Sequence, residues 1–256
     1  GCNAPAVAQY VLSSVLALAN RPLAQYSIGI VGVGHIGRIV ERRARALSMT
    51  VLRCDPPRAA AGDPGQWYDL KDIAARADVI TFHTPLTTDG AYPTRHLCDT
   101  AFVRSLRRAP IVINAARGPV TDTEALLQGL QDNHIRAVVI DTWEGEPNIN
   151  RELLKRAAIA TPHIAGYSRE GKARATAMVL DAVCRFFGLP QLQPLGAPAI
   201  PAEDPRPGAA PVLADLRQGA ERLLQDTASL RENPGSFEAL RSTYDLRPEP
   251  RSAIAN

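Results

Sequence analysis

Along most of the chain, short apolar runs alternate with segments whose apolar positions recur every three or four residues. The runs fall at 28–31, 50–54, 79–82, 111–114, 137–140 and 158–160. Nearly all are continuous rather than alternating, the pattern of strands buried on both faces. Between them the spacing predicts helices at 36–48, 70–76, 99–105, 122–131 and 152–156, with 6–19 before the series and 168–187 after it. Strand and helix taking turns in this way describes an α/β fold, a doubly wound parallel sheet covered by helices on both sides.

The two ends of the chain depart from this rhythm. The 6–19 helix carries Val7, Val11, Val15 and Leu18 at helical spacing and is too apolar to stand alone in water, so a covering segment ahead of Gly1 is expected. Pro22 ends that helix. Pro56-Pro57 stops the second strand, and a loop rich in Gly, Ala and Asp is expected up to Tyr68. Seven of the chain's 21 prolines fall at 190–211, which predicts an extended linker. A polar amphipathic helix is expected at 212–224. The 237–245 tail is too small for a core of its own and is expected to pack on another surface, such as a second subunit. The reading divides the chain into a crossing helix of a partial substrate domain (1–20), a Rossmann-type nucleotide domain (21–166), a return helix (167–189), the linker (190–211) and a partial dimerisation domain (212–256).

Composition narrows the function classes. With 45% apolar and 21% charged residues the chain is an ordinary globular protein, and a net charge of +3 gives no argument for nucleic acid. Arg42, Arg43 and Arg45 form the one dense basic cluster, read as a solvated helix face. No apolar run reaches the roughly 18 residues of a membrane helix. Cys2, Cys54, Cys98 and Cys184 are scattered without a C-x-x-C pair, which points to reduced thiols in the cytoplasm and to no metal site.

The chemistry starts at the first strand. Gly32, Gly34 and Gly37 follow it in G-x-G-x-x-G spacing and open a helix; the next strand delivers Asp55, 18 residues after Gly37. Each part suits a dinucleotide. Gly32 allows a tight turn, Gly34 admits the pyrophosphate, Gly37 lets helix and strand pack, and the helix N-terminus offers free N–H groups. Asp55 would accept the adenosine ribose hydroxyls and repel a 2′-phosphate, favouring NAD over NADP, with Arg58 nearby as the opposing feature.

The remaining strands end in His83-Thr84-Pro85, Arg117, Asp141 and His163, all on the rim where doubly wound sheets bind ligands. Arg117 can fork onto a carboxylate, His163 can exchange a proton with an adjacent hydroxyl, and Glu146 can hold the other imidazole nitrogen. Together they suit oxidation of a 2-hydroxy acid with NAD, with Asp141 at the nicotinamide end and Thr84 bordering the cofactor. Singly, each has a plainer reading as an ion-pair partner, a loop carboxylate or a helix-entry residue. His96 and His134 read as solvated structural residues, His35 as lending its backbone, and Trp67 and Trp143 as packing.

The stretches GIVGVGHIG, CDPPRA, FHTPL, INAARGPV, DTWEGEP and TPHIAGYSREGKAR resemble the D-isomer-specific 2-hydroxyacid dehydrogenases. CDPPRA, FHTPL and GYSREGKAR resemble the branch that oxidises 4-phospho-D-erythronate in pyridoxal phosphate biosynthesis. The resemblance implies Arg117, Glu146 and His163 as catalytic residues, with His163 the proton donor. It implies NAD contacts at His35, Ile36, Asp55, Thr84, Ala115, Ala116, Arg117, Asp141 and Gly166, and a substrate contact at Tyr167. It also implies a homodimer, and an amino-terminal substrate segment and final dimerisation strands that the motifs here do not include. Glycerate or 3-phosphoglycerate oxidation, or NAD(H) sensing without turnover, are the competing readings. For the substrate phosphate, Lys172 and Arg174 are the candidate cations.

Overall fold

The computed structural model describes residues 1–190 and 209–249. Six parallel strands form one sheet in the order β2-β1-β3-β4-β5-β6, running Thr50–Cys54, Ser27–Val31, Val79–Phe82, Ile111–Asn114, Ala137–Ile140 and Ile159–Ala160. In register, Ile28 lies between Val51 on one side and Val79 on the other. The chain steps outward from β1 to β2 and then returns past β1 to β3. That reversal opens a crevice at the carboxyl ends of β1 and β3, the place where such sheets take ligands.

Period two within each strand divides the core into two layers. Ile28, Ile30, Val79, Ile111, Ile113 and Val139 face α1 (Ala4–Leu18), α2 (His35–Ala46) and α9 (Ala209–Glu232). Their neighbours Val31, Ile80, Phe82, Val112, Val138 and Ile140 face the helices of the opposite side. Those are α4 (Leu70–Arg76), α5 (Thr100–Ser105), α6 (Thr123–Gln131) and α7 (Arg151–Arg156). Burial on both faces explains why the strands read as continuous apolar runs.

The expected helices at 99, 122 and 168 start one residue later, because Asp99, Asp122 and Ser168 are N-caps whose side chains accept backbone N–H groups of the first turn. Residues 56–60, expected in a loop, form the short helix α3 (Pro56–Ala60). Proline is compatible with a first turn, and Asp55 caps it by accepting from the Arg58 N–H.

The cover for the apolar α1 comes from within the described chain. Val212, Leu216 and Leu223 of α9 join Val7, Val11 and Val15 in one cluster with Ile39 and Val40 of α2. α9 outruns the expected 212–224 at both ends. Of the expected linker, 209–211 are therefore helical, and 191–208 lie outside the described residues. Thr227 accepts from the Ala160 N–H, so the end of α9 also caps the edge strand β6. The tail helix α10 (Phe237–Ser242) buries Phe237 in the core of this same chain rather than on another subunit. Arg43 is a further correction. It is buried rather than solvated, donating toward the Pro5 carbonyl where α2 meets α1. No helix among the described residues is long and apolar enough to cross a membrane.

Candidate active site

The turn after β1 is built as its glycines require. Gly32 has φ +93°, a left-handed conformation, and a β-carbon there would meet the His83 backbone at 2.8 Å. At Gly37 a β-carbon would fall 2.2 Å from the Gly32 carbonyl oxygen, so only glycine lets α2 start this close to the strand. Gly34 faces open space and leads directly into the first turn of α2.

Beside this turn lies a mainly apolar cavity of about 530 Å³, lined by Gly32, Gly34, Asp55, Leu70, Thr84, Tyr92 and neighbours. The Asp55 carboxylate accepts from the Val33 N–H at 2.7 Å, which ties the end of β2 to the glycine turn. Arg58, which sequence alone left open as a clasp for a 2′-phosphate, is occupied. It pairs with Asp63, donates to the Val33 carbonyl and lies 5.6 Å from the Trp67 ring. Asp55 lines this cavity and Arg58 does not.

A second cavity, of about 460 Å³, adjoins the first across His83, Thr84 and Pro85. Ile36, Thr84, Ala115, Ala116, Arg117, Asp141, His163, Gly166 and Tyr167 all line it. Two polar atoms at the junction, Thr84 Oγ1 and His83 Nδ1, are buried without a partner among the described residues. A bound polar molecule running between the cavities would supply one. Room on both sides, an acid at one end and orphaned polar atoms between them fit an extended dinucleotide.

Arg117 follows β4, exposed at the cavity, with Nη1 donating to the Ala116 carbonyl at 2.6 Å. Asn114 stiffens this loop by donating to the Arg117 and Gly118 carbonyls. Among the described residues no acidic side chain pairs with the Arg117 guanidinium, which leaves donors for a ligand carboxylate.

His163 and Glu146 meet from two loops. Nδ1 of His163 lies 2.8 Å from Glu146 Oε2, and Glu146 Oε1 accepts the Trp143 N–H at 2.7 Å. Burial works against ionising Glu146. The His163 hydrogen bond, the Trp143 N–H and the His163 charge outweigh it and hold the carboxyl below its ordinary range. An ionised Glu146 accepts only, so Nδ1 is the nitrogen that donates to it and Nε2 is the one left for the cavity.

Asp141 shapes the wall rather than presenting a free charge. Its buried carboxylate accepts from Thr161 Oγ1, Ile164 N–H and Ala165 N–H at 2.7, 2.8 and 2.9 Å. Desolvation raises its pKa, opposed by the His163 charge and these hydrogen bonds. Tyr10 of α1 extends the network through Thr161 at 2.7 Å.

Of the residues singled out in the sequence, His35 and Gly37 build the turn without lining a cavity, and Glu146 stands behind His163. Lys172 lines the second cavity, whereas Arg174 does not. Its guanidinium is buried and bonded to Glu249 at 2.7 Å and to the Cys2 carbonyl. His96, read as solvated, instead clasps Glu144 at 2.7 Å, and Glu144 also accepts from Thr123. Cys2, Asn3 and Val7 belong to the cavity wall and carry no sequence signal, because their place there depends on how α1 crosses the sheet.

Residues 9–165 match the family described as D-isomer specific 2-hydroxyacid dehydrogenase, NAD binding domain. The chain belongs to that family. The chain is similar to the erythronate-4-phosphate dehydrogenase of Escherichia coli O81 (strain ED1a). That enzyme is 46% identical over 97% of this chain and 69% of its own length. Among solved members, the Aquifex aeolicus D-lactate dehydrogenase complexed with NAD and lactic acid is 23% identical. It superposes with a TM-score of 0.61 over 72% of this chain and 66% of that one, a likeness of fold. The Thermus thermophilus TT0316 protein gives a TM-score of 0.62 at 27% identity, over 76% and 69%. The NAD-binding domain of the family is thus present here over residues 9–165.

Proposed function

We propose that the protein oxidises 4-phospho-D-erythronate to the corresponding 2-oxo acid phosphate with NAD, as its relatives' name describes for them. The observation that carries this reading is the Glu146–His163 pair at 2.8 Å, its His163 set on the same cavity as Arg117, which has no acidic partner among the described residues. NAD bound across the two cavities would supply the hydride acceptor for C2 of the substrate. Gly32, Gly34 and the α2 N-terminus would hold its pyrophosphate, Asp55 its adenosine ribose, and Thr84, Ala115, Ala116, Asp141 and Gly166 its nicotinamide half.

The chain's own residues account for the rest. Arg117 grips the substrate carboxylate and orients C2. Nε2 of His163 takes the proton of the C2 hydroxyl in oxidation and returns it in reduction. Glu146 stabilises the imidazolium that forms, and Asp141 holds the 161–165 segment on which His163 stands. Tyr167 closes the substrate side. Reduced thiols and the family resemblance support a cytoplasmic homodimer, for which the exposed Phe186 and Phe187 at the end of α8 (Arg169–Phe187) offer apolar surface.

The test is NADH formation by the full chain supplied with NAD and 4-phosphoerythronate, alongside NADH binding followed by fluorescence. His163→Ala is expected to cut turnover by about 10² to 10⁴-fold with NADH affinity unchanged. NADH binding with no turnover of any 2-hydroxy acid, even with the relatives' amino-terminal substrate segment supplied, would replace this reading with a cofactor-sensing module. Faster turnover of glycerate or 3-phosphoglycerate would move the substrate within the class.

A further inference from the structure

Two cationic side chains line the second cavity, Arg117 after β4 and Lys172 in the first turn of α8. The other cations close by are already matched. Arg174 is bonded to both oxygens of Glu249, and Arg247 is buried against the Ala6 and Ala165 carbonyls. The acids are matched too, with both oxygens of Asp141 taken by donors and Glu146 turned to His163. Lys172 has no carboxylate partner among the described residues. Its Nζ sits 4.9 Å from the centre of the Tyr167 ring, a cation–π contact that holds the ammonium against the cavity wall without neutralising it. Tyr167 is braced from another direction by an edge contact with Tyr244 at 6.3 Å.

The geometry points to Lys172, seated on Tyr167, as the specificity determinant that takes the terminal phosphate of the substrate. This inference rests on the proposed oxidation of a phosphorylated 2-hydroxy acid. Arg117 and His163 are committed to the carboxylate and the C2 hydroxyl at one end of such a molecule. The far end carries a second anion, which needs a second cation in the same cavity. Lys172 is that cation, and the Tyr167 ring sets the direction from which it reaches. An ammonium suits a phosphate in this position because it needs no planar fork to be aligned. An acid without the phosphate leaves Lys172 on its ring and gains nothing from it.

The experiment measures affinity for 4-phosphoerythronate and for erythronate on the full chain saturated with NADH, by calorimetry. The parent is expected to prefer the phosphorylated acid about tenfold or more, the worth of one charge-assisted hydrogen bond. Lys172→Gln should bring the ratio close to one with erythronate and NADH affinities unchanged, and Lys172→Arg should keep most of the preference. A Lys172→Gln protein that retains the parent's ratio, or that weakens both acids equally, overturns the assignment. A parent that binds both acids equally overturns it as well, while leaving 2-hydroxy acid oxidation in place. Binding of NADH with neither acid bound removes the proposed function and the inference with it.

Discussion

The His83 ring ends β3 between the two cavities, with Nε2 3.1 Å from Thr81 Oγ1 and Nδ1 without a partner. Desolvation pushes its pKa from the ordinary 6.5 down to about 3, so the folded protein holds the ring neutral. The unfolded chain takes up a proton below pH 6.5 where the folded one does not. Stability from this residue is therefore complete above pH 6.5 and is lost as the pH falls from 6.5 toward 3. The carboxyls held below their ordinary range, Asp78, Glu144 and Glu146, act in the same direction but at lower pH, since their ordinary values are 3.8 and 4.5. Burial raises the Asp141 and Asp226 carboxyls, which act in the opposite direction, so the comparison with a His83 variant between pH 5 and 6.5 is what isolates His83. Denaturant midpoints of His83→Asn should decline less across that window than those of the parent. Parallel curves for the two proteins would show that His83 is protonated freely in the fold.

At the scale of elements, the segment after α10 works as a strap behind the wall of the second cavity. Arg247 lies in parallel pairing with Ser168 and donates to the Ala6 and Ala165 carbonyls, one on α1 and one on the 163–167 loop. Two residues on, Glu249 accepts from Ser168 Oγ at 2.8 Å and from Arg174, while its own N–H donates to Glu170. A single extended segment therefore joins α1, the start of α8 and the loop that carries His163 and Tyr167. Removing the Arg247 guanidinium breaks the tie to α1 and takes this donor from the buried Ala165 carbonyl, at a cost of about 1–3 kcal/mol. Arg247→Ala should lower the melting temperature and weaken the acid substrate more than NADH, because Asp55 and the glycine turn lie away from the strap. Equal weakening of both ligands, or none, would mean that the strap supports stability without setting the substrate wall.

For the whole molecule, what sequence could reveal depended on how far apart in the chain the partners lie. Strands buried on both faces advertise themselves as apolar runs, and their bounds fell within a residue; the rim followed, because each strand's next residues had to face the crevice. Arg43 against Pro5, Arg174 against Glu249 and α9 against α1 were not legible, since each joins stretches far apart in sequence whose meeting only the fold decides. Two cavities joined at His83 and Thr84 were equally invisible as volumes, yet they set how the molecule meets its cofactor. A dinucleotide that spans both should stabilise the entire chain, by about 2.7 kcal/mol at a hundred times its Kd. For a chain of this size that is a rise in melting temperature of about 5–10 °C. NADH should produce the rise and NADPH should not, because the Asp55 carboxylate meets the 2′-phosphate while Arg58 is tied to Asp63 and the Val33 carbonyl. Asp55→Asn keeps an acceptor for the Val33 N–H but removes the charge, so it should narrow the gap from both sides, weakening NADH and admitting NADPH. Equal melting shifts with the two cofactors in the parent would mean that Arg58 leaves Asp63 to hold the phosphate, and that Asp55 does not decide cofactor choice.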